Sequence, residues 1–170
     1  MHSEPRGRVE LIPVSEFPDG ANAPLSWSLA FWGNRIPGFS ASDWVAFYEQ
    51  AGSADYANWD PAGTDQALIY LAVIDHEVVG AIALVDFDDL EAFRHLKPWV
   101  AAFIVNPELR HSGLGTQILA LLEGTARTLG IDRLYLWTED QTAFYQKRGY
   151  RFEAHTSLEQ LFFDVLSKDL

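Results

Sequence analysis

Three apolar runs dominate the middle of the chain. Residues 67–74 (ALIYLAVI) and 78–85 (VVGAIALV) are separated only by Asp75-His76-Glu77, and residues 98–105 (PWVAAFIV) follow a polar stretch, DFDDLEAFRHLK (86–97). Short continuous apolar runs bounded by turn residues predict well-buried strands, and the first two predict a hairpin. Downstream the period changes. Leu114, Ile118, Leu121, Leu122, Thr125 and Leu129 recur at helical spacing, which predicts an amphipathic helix over 113–129 stopped by Gly130. RLYLWT (133–138) is a further strand, EDQTAFYQKRG (139–149) a short helix closed by glycine, and YRFEAHTS (150–157) with LFFDVLSK (161–168) a last hairpin. Upstream, RVELIPV (8–14) predicts a first strand, and 24–36, with Trp27, Leu29, Phe31, Trp32 and Ile36, a short helix. A second helix, DWVAFYEQA (43–51), follows the capping-box spacing of Ser40 and Asp43 and ends at Gly52; 53–65 is loop. The order strands, helix, strand, helix, strands predicts an α/β fold. It is one domain over 1–170, with a mixed central sheet of about six to seven strands and helices on both faces.

Composition narrows the class. With 170 residues, 48% apolar and 14% aromatic, the chain can bury a sizeable core and is not disordered as a whole. The lack of cysteine excludes disulfides, thiolate metal sites and a cysteine nucleophile. MHSEPRGRVELIP has no apolar signal-peptide core, and no run approaches the ~20 residues that cross a bilayer. A soluble, cytoplasmic protein with no membrane partner is expected. A net charge of −12 leaves too few Lys and Arg for a large basic face, so no nucleic-acid partner is expected. An acidic field favours cationic partners, amines among them, although acidity also serves solubility alone. The five histidines (2, 76, 95, 111, 155) have no metal-ligand spacing, so no metal is expected.

The candidate chemistry sits at RHSGLGT (110–116), where the predicted long helix begins. Helix starts expose unpaired N–H groups and the positive end of the dipole, which suit a phosphate. Glycines let successive N–H groups turn inward and remove side chains that would hold the anion away. Gly113 and Gly115 fit that role, with Arg110 and His111 as nearby charge; the plain alternative is a loop turning into a helix. A Walker loop is excluded because Gly-Lys-Ser/Thr does not occur, and GxGxxG fails because position 118 is Ile.

PWVAAFIVNPELRHSGLGTQIL followed by LGIDRLYLWTEDQTAFYQKRGYRF resembles the GCN5-related N-acetyltransferase (GNAT) superfamily. Arg110, Gly113 and Gly115 match its R/Q-x-x-G-x-G/A signature, and AFYQKRGY (143–150) resembles its second segment, Ala-x-x-Phe/Leu-Tyr-x-Lys/Arg-x-Gly-Phe/Tyr. The resemblance covers about 67–168 and is expected to extend to the whole chain. It implies a splay between the two central parallel strands and transfer of an acetyl group from acetyl-coenzyme A, as co-substrate, to a primary amine of a small molecule or peptide. The diphosphate would rest on the backbone of Arg110, His111, Ser112, Gly113, Leu114, Gly115 and Thr116. The pantetheine arm would pair with the backbone of Phe103, Ile104 and Val105 as an added strand. Tyr145 falls where the family often has the tyrosine that protonates the leaving thiolate; without the resemblance it reads as a core aromatic. A homodimer through a sheet edge is in keeping with the family.

Two positions depart from the pattern. Thr138 stands where many members have Asn, seven residues before Tyr145, so a contact to the cofactor or to neighbouring backbone passes to a hydroxyl. The strand 99–105 carries no carboxylate, where the family often has a glutamate base. Asp86, Asp88, Asp89, Glu91 and Glu139 are the substitutes, each expected as a solvated surface group. Of Trp27, Phe31, Trp32, Phe39, Trp44, Phe47 and Tyr48, most are expected in the core and a few on an acceptor pocket. The alternative function is a non-catalytic acyl-coenzyme A-binding module, a sensor or assembly subunit; a longer acyl group or a hydroxyl acceptor is a third.

Overall fold

A computed structural model describes residues 7–33 and 35–170; residues 1–6, with His2, and Asn34, inside the predicted 24–36 helix, lie outside the described residues. Seven strands form one sheet in the order β1-β2-β3-β4-β5-β7-β6. They are β1 (Glu10–Pro13), β2 (Ala67–Ile74), β3 (Glu77–Val85), β4 (Trp99–Val105), β5 (Arg133–Thr138), β6 (Arg151–Leu158) and β7 (Leu161–Asp169). The helices are α1 (Asn22–Phe31), α2 (Ala41–Ala51), α3 (Leu114–Thr128) and α4 (Thr142–Gln146). Every neighbouring pair of strands is antiparallel except β4 and β5.

All eight residues of β2 are buried, and alternation decides which layer each one joins. Leu68, Tyr70, Ala72 and Ile74 pack with Ile118, Leu119 and Leu122 of α3. Ala67, Ile69, Leu71 and Val73 pack with Trp44, Tyr48 and Ala51 of α2. The sheet is therefore covered on both faces, which is why its strands read as continuous apolar runs rather than alternating ones. Each fully buried Leu or Ile of α3 contributes roughly 2 kcal/mol. The β2–β3 turn puts both Asp75 (φ 49) and His76 (φ 68) in the left-handed region, as a two-residue hairpin loop requires.

The predicted elements all form, with three local differences. The first helix lies at Asn22–Phe31 rather than 24–36, because Gly33 (φ 50) turns the chain out after Trp32. The helix predicted over 139–149 shrinks to five residues, since the Thr138 hydroxyl accepts the Gln141 N–H at 3.0 Å and caps it late. Gly52 ends α2 at φ −63, without using a glycine-only conformation. Asp43 accepts the Ser40 N–H at 2.7 Å, so the capping contact forms as spaced. Among the described residues no helix is long and apolar enough to cross a membrane.

The sheet is interrupted at its centre. β4 and β5 pair only at Trp99 and Tyr135, with the Tyr135 N–H donating to the Pro98 carbonyl at 3.0 Å. Beyond that point the two parallel strands separate. On its other edge β4 carries a bulge. Ala81 pairs with Ile104 and Ala83 with Ala101, so Ala102 and Phe103 stand opposite the single residue Ile82. Ala102 sits at φ 49, a costly conformation for a residue with a Cβ. The bulge shifts the phase of the strand. Val100, Phe103 and Val105 join the α3 layer, while Trp99, Ala101, Ala102 and Ile104 join the α1/α2 layer.

Candidate active site

The start of α3 is an open cradle of donors. Gly113 is its N-cap at φ 85 and ψ −1, and the first bond along the helix runs from the Gln117 N–H to the Gly113 carbonyl at 3.3 Å. Among the described residues the N–H groups of Leu114, Gly115 and Thr116 have no acceptor within the chain. Leu114 is buried and pins the helix start to the core, whereas Arg110, His111, Ser112, Gly113 and Thr116 are exposed. A Cβ added at Gly113 would meet no heavy atom within 4 Å, so the space above this turn is empty. The loop is held from below: Asn106 donates its N–H to the Val79 carbonyl at 2.8 Å and accepts the Glu108 N–H on its side chain at 3.0 Å, and the Ser112 hydroxyl donates to the Leu109 carbonyl. His111 also has a left-handed backbone, at φ 65. The Arg110 guanidinium lies 5.4 Å from the Phe31 ring.

Sequence reasoning missed Arg148, which adds a second fixed charge to this cradle. Its guanidinium donates to the Thr116 hydroxyl at 2.9 and 2.6 Å and to the Phe144 carbonyl at 2.7 Å, and stacks 3.7 Å from the Phe144 ring. The signal was the Lys-Arg pair of AFYQKRGY, read as motif rather than as a bridge to α3. Phe144 and Phe103 both lie within ordinary contact of Gly115, 3.8 and 3.7 Å from where its Cβ would be, so α4, the bulged β4 and the helix start converge at one point.

Tyr145 follows on α4, half-buried, its ring 5.1 Å from Phe144 and 5.7 Å from Tyr150. Burial pushes its hydroxyl pKa up to about 12, against a smaller opposing pull from the Arg148 charge. It is therefore protonated throughout the neutral range. Thr138, at the end of β5, is buried, and its hydroxyl is spent on the Gln141 backbone, fixing the turn from which α4 departs.

The other face of the same gap carries a cleft of about 100 Å³ that opens to solvent. Its floor is Ala101 and Ala102 of β4 with Trp137 of β5; its walls are Trp32, Phe39, Trp44, Phe47 and Phe87. Trp32 and Trp44 stack with ring centroids 5.2 Å apart, and Phe39 meets Trp44 edge-on at the same separation. Of the aromatics expected to divide between core and pocket, Trp27 and Tyr48 pack in the α1/α2 core, while Phe31 is exposed. Among the described residues no Lys, Arg or His lines the cleft. Cations around it have partners: Arg35 pairs with Glu139, Arg94 pairs with Glu91 at 2.8 Å and stacks 3.7 Å over the Phe87 ring, and Lys97 donates to the Gly63 carbonyl at 2.9 Å.

Among the described residues the titratable groups lining the cleft are Asp88 and Asp89. A tight turn presents them: the Leu90 N–H donates to the Asp88 carbonyl at 2.8 Å around Asp89, which sits at φ 64. The Trp137 indole N–H donates to that same Asp88 carbonyl at 3.0 Å, tying the turn to β5. Burial, then the Asp89 charge, holds the Asp88 carboxyl well above the usual carboxylate range. Burial, then the Asp43 charge from α2, pushes Asp89 up to about 6. The expectation of fully solvated carboxylates therefore fails for this pair, because the fold sets them half-buried in a cleft walled by aromatic rings from distant segments. It fails also for Asp86, which is buried and accepts the Gln66 N–H at 2.6 Å as a structural tie. Glu91 is exposed, and Glu139 is spent on Arg35.

The chain matches the Acetyltransferase (GNAT) family over residues 34–150. It is 30% identical over 88 residues to an amino-acid acetyltransferase of Pseudomonas syringae pv. syringae, a match covering 51% of this chain and 19% of that relative. The chain thus spans about a fifth of the length of the curated relatives it matches. Among solved structures it superposes on an aminoglycoside 6'-acetyltransferase type Ii with a TM-score of 0.67, at 16% identity, over 95% of this chain and 96% of that one. It also superposes on a GNAT family acetyltransferase from Elizabethkingia anophelis with acetyl-CoA bound, with a TM-score of 0.60 at 15% identity over 95% and 98% of the two chains. At those identities the superpositions speak for the fold, with its seven-stranded mixed sheet and parting central strands. Since the family match covers well over half of the chain, the protein belongs to the GNAT acetyltransferase family.

Proposed function

We propose that the chain is an acetyl-coenzyme A-dependent N-acetyltransferase that moves an acetyl group to a primary amine of a small molecule or peptide by direct attack on the thioester. One observation carries the reading. The gap between β4 and β5 has an unsatisfied donor cradle and Tyr145 on the α3 side, and an aromatic cleft with two carboxylates on the other. Two reactants can then meet across the sheet, one from each face.

The donor set fits a diphosphate: free N–H groups of Leu114 to Thr116, the loop backbone from Arg110 to Gly113, and the guanidinium groups of Arg110 and Arg148. On the edge facing β5 the backbone of Phe103 to Val105 has no partner strand, its β3 edge being paired at Ile104 and Val105, and this open edge suits the amide-bearing pantetheine arm. Positioning the thioester beside the amine supplies much of the rate.

In the proposed step an ammonium group gives one proton to the Asp89 carboxylate. The neutral nitrogen attacks the carbonyl carbon, forming the C–N bond, and the charge that gathers on oxygen meets a backbone N–H at the bulge, in the stretch Phe103 to Val105. The C–S bond then breaks, the sulfur takes the Tyr145 proton, and the nitrogen releases its second proton to solvent, from which the tyrosinate is restored. A group at about 6 is suited to accept a proton near neutrality, and one at about 12 to donate.

The test is thiol release from acetyl-coenzyme A across an amine panel, with coenzyme A affinity measured by calorimetry. Turnover with at least one amine is expected. Tyr145→Phe should lower kcat by ~10²-fold with affinity for coenzyme A within about twofold, the signature of a group used in the transition state. Tight coenzyme A binding without turnover on any amine would instead favour the acyl-coenzyme A-binding module. Unchanged kcat in Tyr145→Phe would remove the acid role.

A further inference from the structure

The cleft beneath α1 and α2 says more about the acceptor than that it is an amine. Its walls are almost wholly ring: Trp32, Phe39, Trp44, Phe47, Phe87 and Trp137. Its charges are the two carboxylates, side by side on one turn. A further observation bears on the walls. Trp44 is only 6% exposed and lines the cleft with its ring, and its buried indole N–H has no acceptor among the described residues.

We infer that the acceptor is a primary amine with a single ammonium group on an apolar, ring-sized body and no carboxylate, seated with its ammonium at Asp88 and Asp89 and its body among the Trp32, Trp44 and Trp137 rings. This rests on the acetyl-transfer reading above and narrows its substrate. Three chemical contrasts lead to it. A free amino acid carries a carboxylate within a few ångströms of its amine, and here that anion would lie against two acidic side chains. Among the described residues no cation lines the cleft to receive it; Arg94 stacks on the outer Phe87 ring but is held by Glu91, and Arg35 and Lys97 have partners of their own. A polyamine needs carboxylates spread along its length, whereas these are clustered at one place. An aminoglycoside brings many hydroxyl groups, and rings cannot satisfy them. A lone ammonium with an apolar body leaves nothing unpaired, and the rings add cation–π attraction and apolar burial. The curated relative of Pseudomonas syringae is named for amino acids. The carboxylates of this cleft do not complement an amino acid's own carboxylate.

The experiment is calorimetry on the full chain with coenzyme A present, using phenethylamine against phenylalanine and tryptamine against tryptophan, pairs that differ only in the carboxylate. Each amine should bind at least tenfold tighter than its amino acid, and tighter than putrescine or kanamycin. Less than tenfold discrimination, no amine binding, or a preference for putrescine or kanamycin overturns the inference. A second arm follows thiol release with acetyl-coenzyme A for the same compounds. No turnover in that arm, with the binding preference intact, would overturn acetyl transfer and leave the cleft's chemistry standing. Turnover of amino acids at rates equal to the amines would do the reverse. Because Asp88 and Asp89 belong to the site, the variant arm uses Phe39→Arg, which adds a cation to the wall. Discrimination against phenylalanine should fall at least fivefold in the folded variant, and an unchanged ratio counts against the cleft as the acceptor site.

Discussion

Asp89 carries the sharpest tension at the level of a single residue. Its carboxyl is held up to about 6, by burial first and by the Asp43 charge second, with Asp88 beside it on the same turn and the Trp137 indole fixing that turn from β5. A folded-state value above the unfolded one means that the protonated form is favoured by folding. The associated stability is fully present below the unfolded value near 3.8 and is lost as pH rises through about 6. At neutral pH the native state therefore bears the cost of a buried charge, which the proposed proton transfer requires. Asp89→Asn removes that cost. The variant should be more stable than wild type at pH 8 by about 1–2 kcal/mol in urea unfolding, and the difference should shrink toward zero at pH 4. Its kcat/KM for an amine should lose the limb that rises through pH 6 in the wild type. A variant that is stabilised equally at pH 4 and pH 8 would show that packing, and not ionisation, sets the cost. A retained limb would assign the base elsewhere.

The strand β4 shows where a linear reading stops and why. Its extent, like those of β2, β3 and β5, was legible because continuous apolar runs between turn residues have few other solutions, and the long helix was legible from its period. The cradle was legible because glycines at a helix start have a backbone reason to be there. The bulge was not, since Ala101-Ala102 reads like any other pair in a strand and its consequence depends on the register with β3. The acidic pair was misjudged for a related cause. DFDD is polar in sequence, and only the fold brings Trp44 and Trp137 over it. The bulge makes a testable demand. Ala102 stands at φ 49, where a Cβ is tolerated poorly and a β-branched one worse. Ala102→Val should destabilise the chain by about 2–3 kcal/mol and disturb the gap. Ala102→Gly should stay within about 1 kcal/mol of wild type, because relief of strain offsets the extra freedom of the unfolded chain. Equal costs in urea unfolding for the two variants would mean that the left-handed conformation is not what the position requires.

For the molecule as a whole, opening the sheet between β4 and β5 leaves its two parts joined by one strand pairing and by whatever bridges the gap from outside. Side chains supply that bridge. Arg148 of the second part holds Thr116 of α3, Trp137 holds the Asp88 turn, and Arg35 meets Glu139 across the rim. The deepest tie is Glu123, buried on α3, which accepts the Lys168 ammonium at 3.0 Å and the Tyr150 hydroxyl at 2.9 Å. Tyr150 in turn stands 5.7 Å from Tyr145, so the clasp also backs the proposed acid. Such a group is not a large net source of stability against an apolar replacement, but removing one member strands the others. Glu123→Ala leaves a half-buried ammonium and a buried phenol without their acceptor and opens a small cavity. A loss of about 2–4 kcal/mol follows, which for a domain of this size lowers Tm by roughly 5–12 °C. If the clasp acts by joining the two parts of the sheet, saturating coenzyme A, which in the proposed site would touch both, should restore a larger share of Tm in Glu123→Ala than it adds to the wild type. An equal increment in both proteins would reduce Glu123 to an ordinary buried ion pair, and a loss below about 0.5 kcal/mol would leave α3 and the single Trp99–Tyr135 pairing as the true joint.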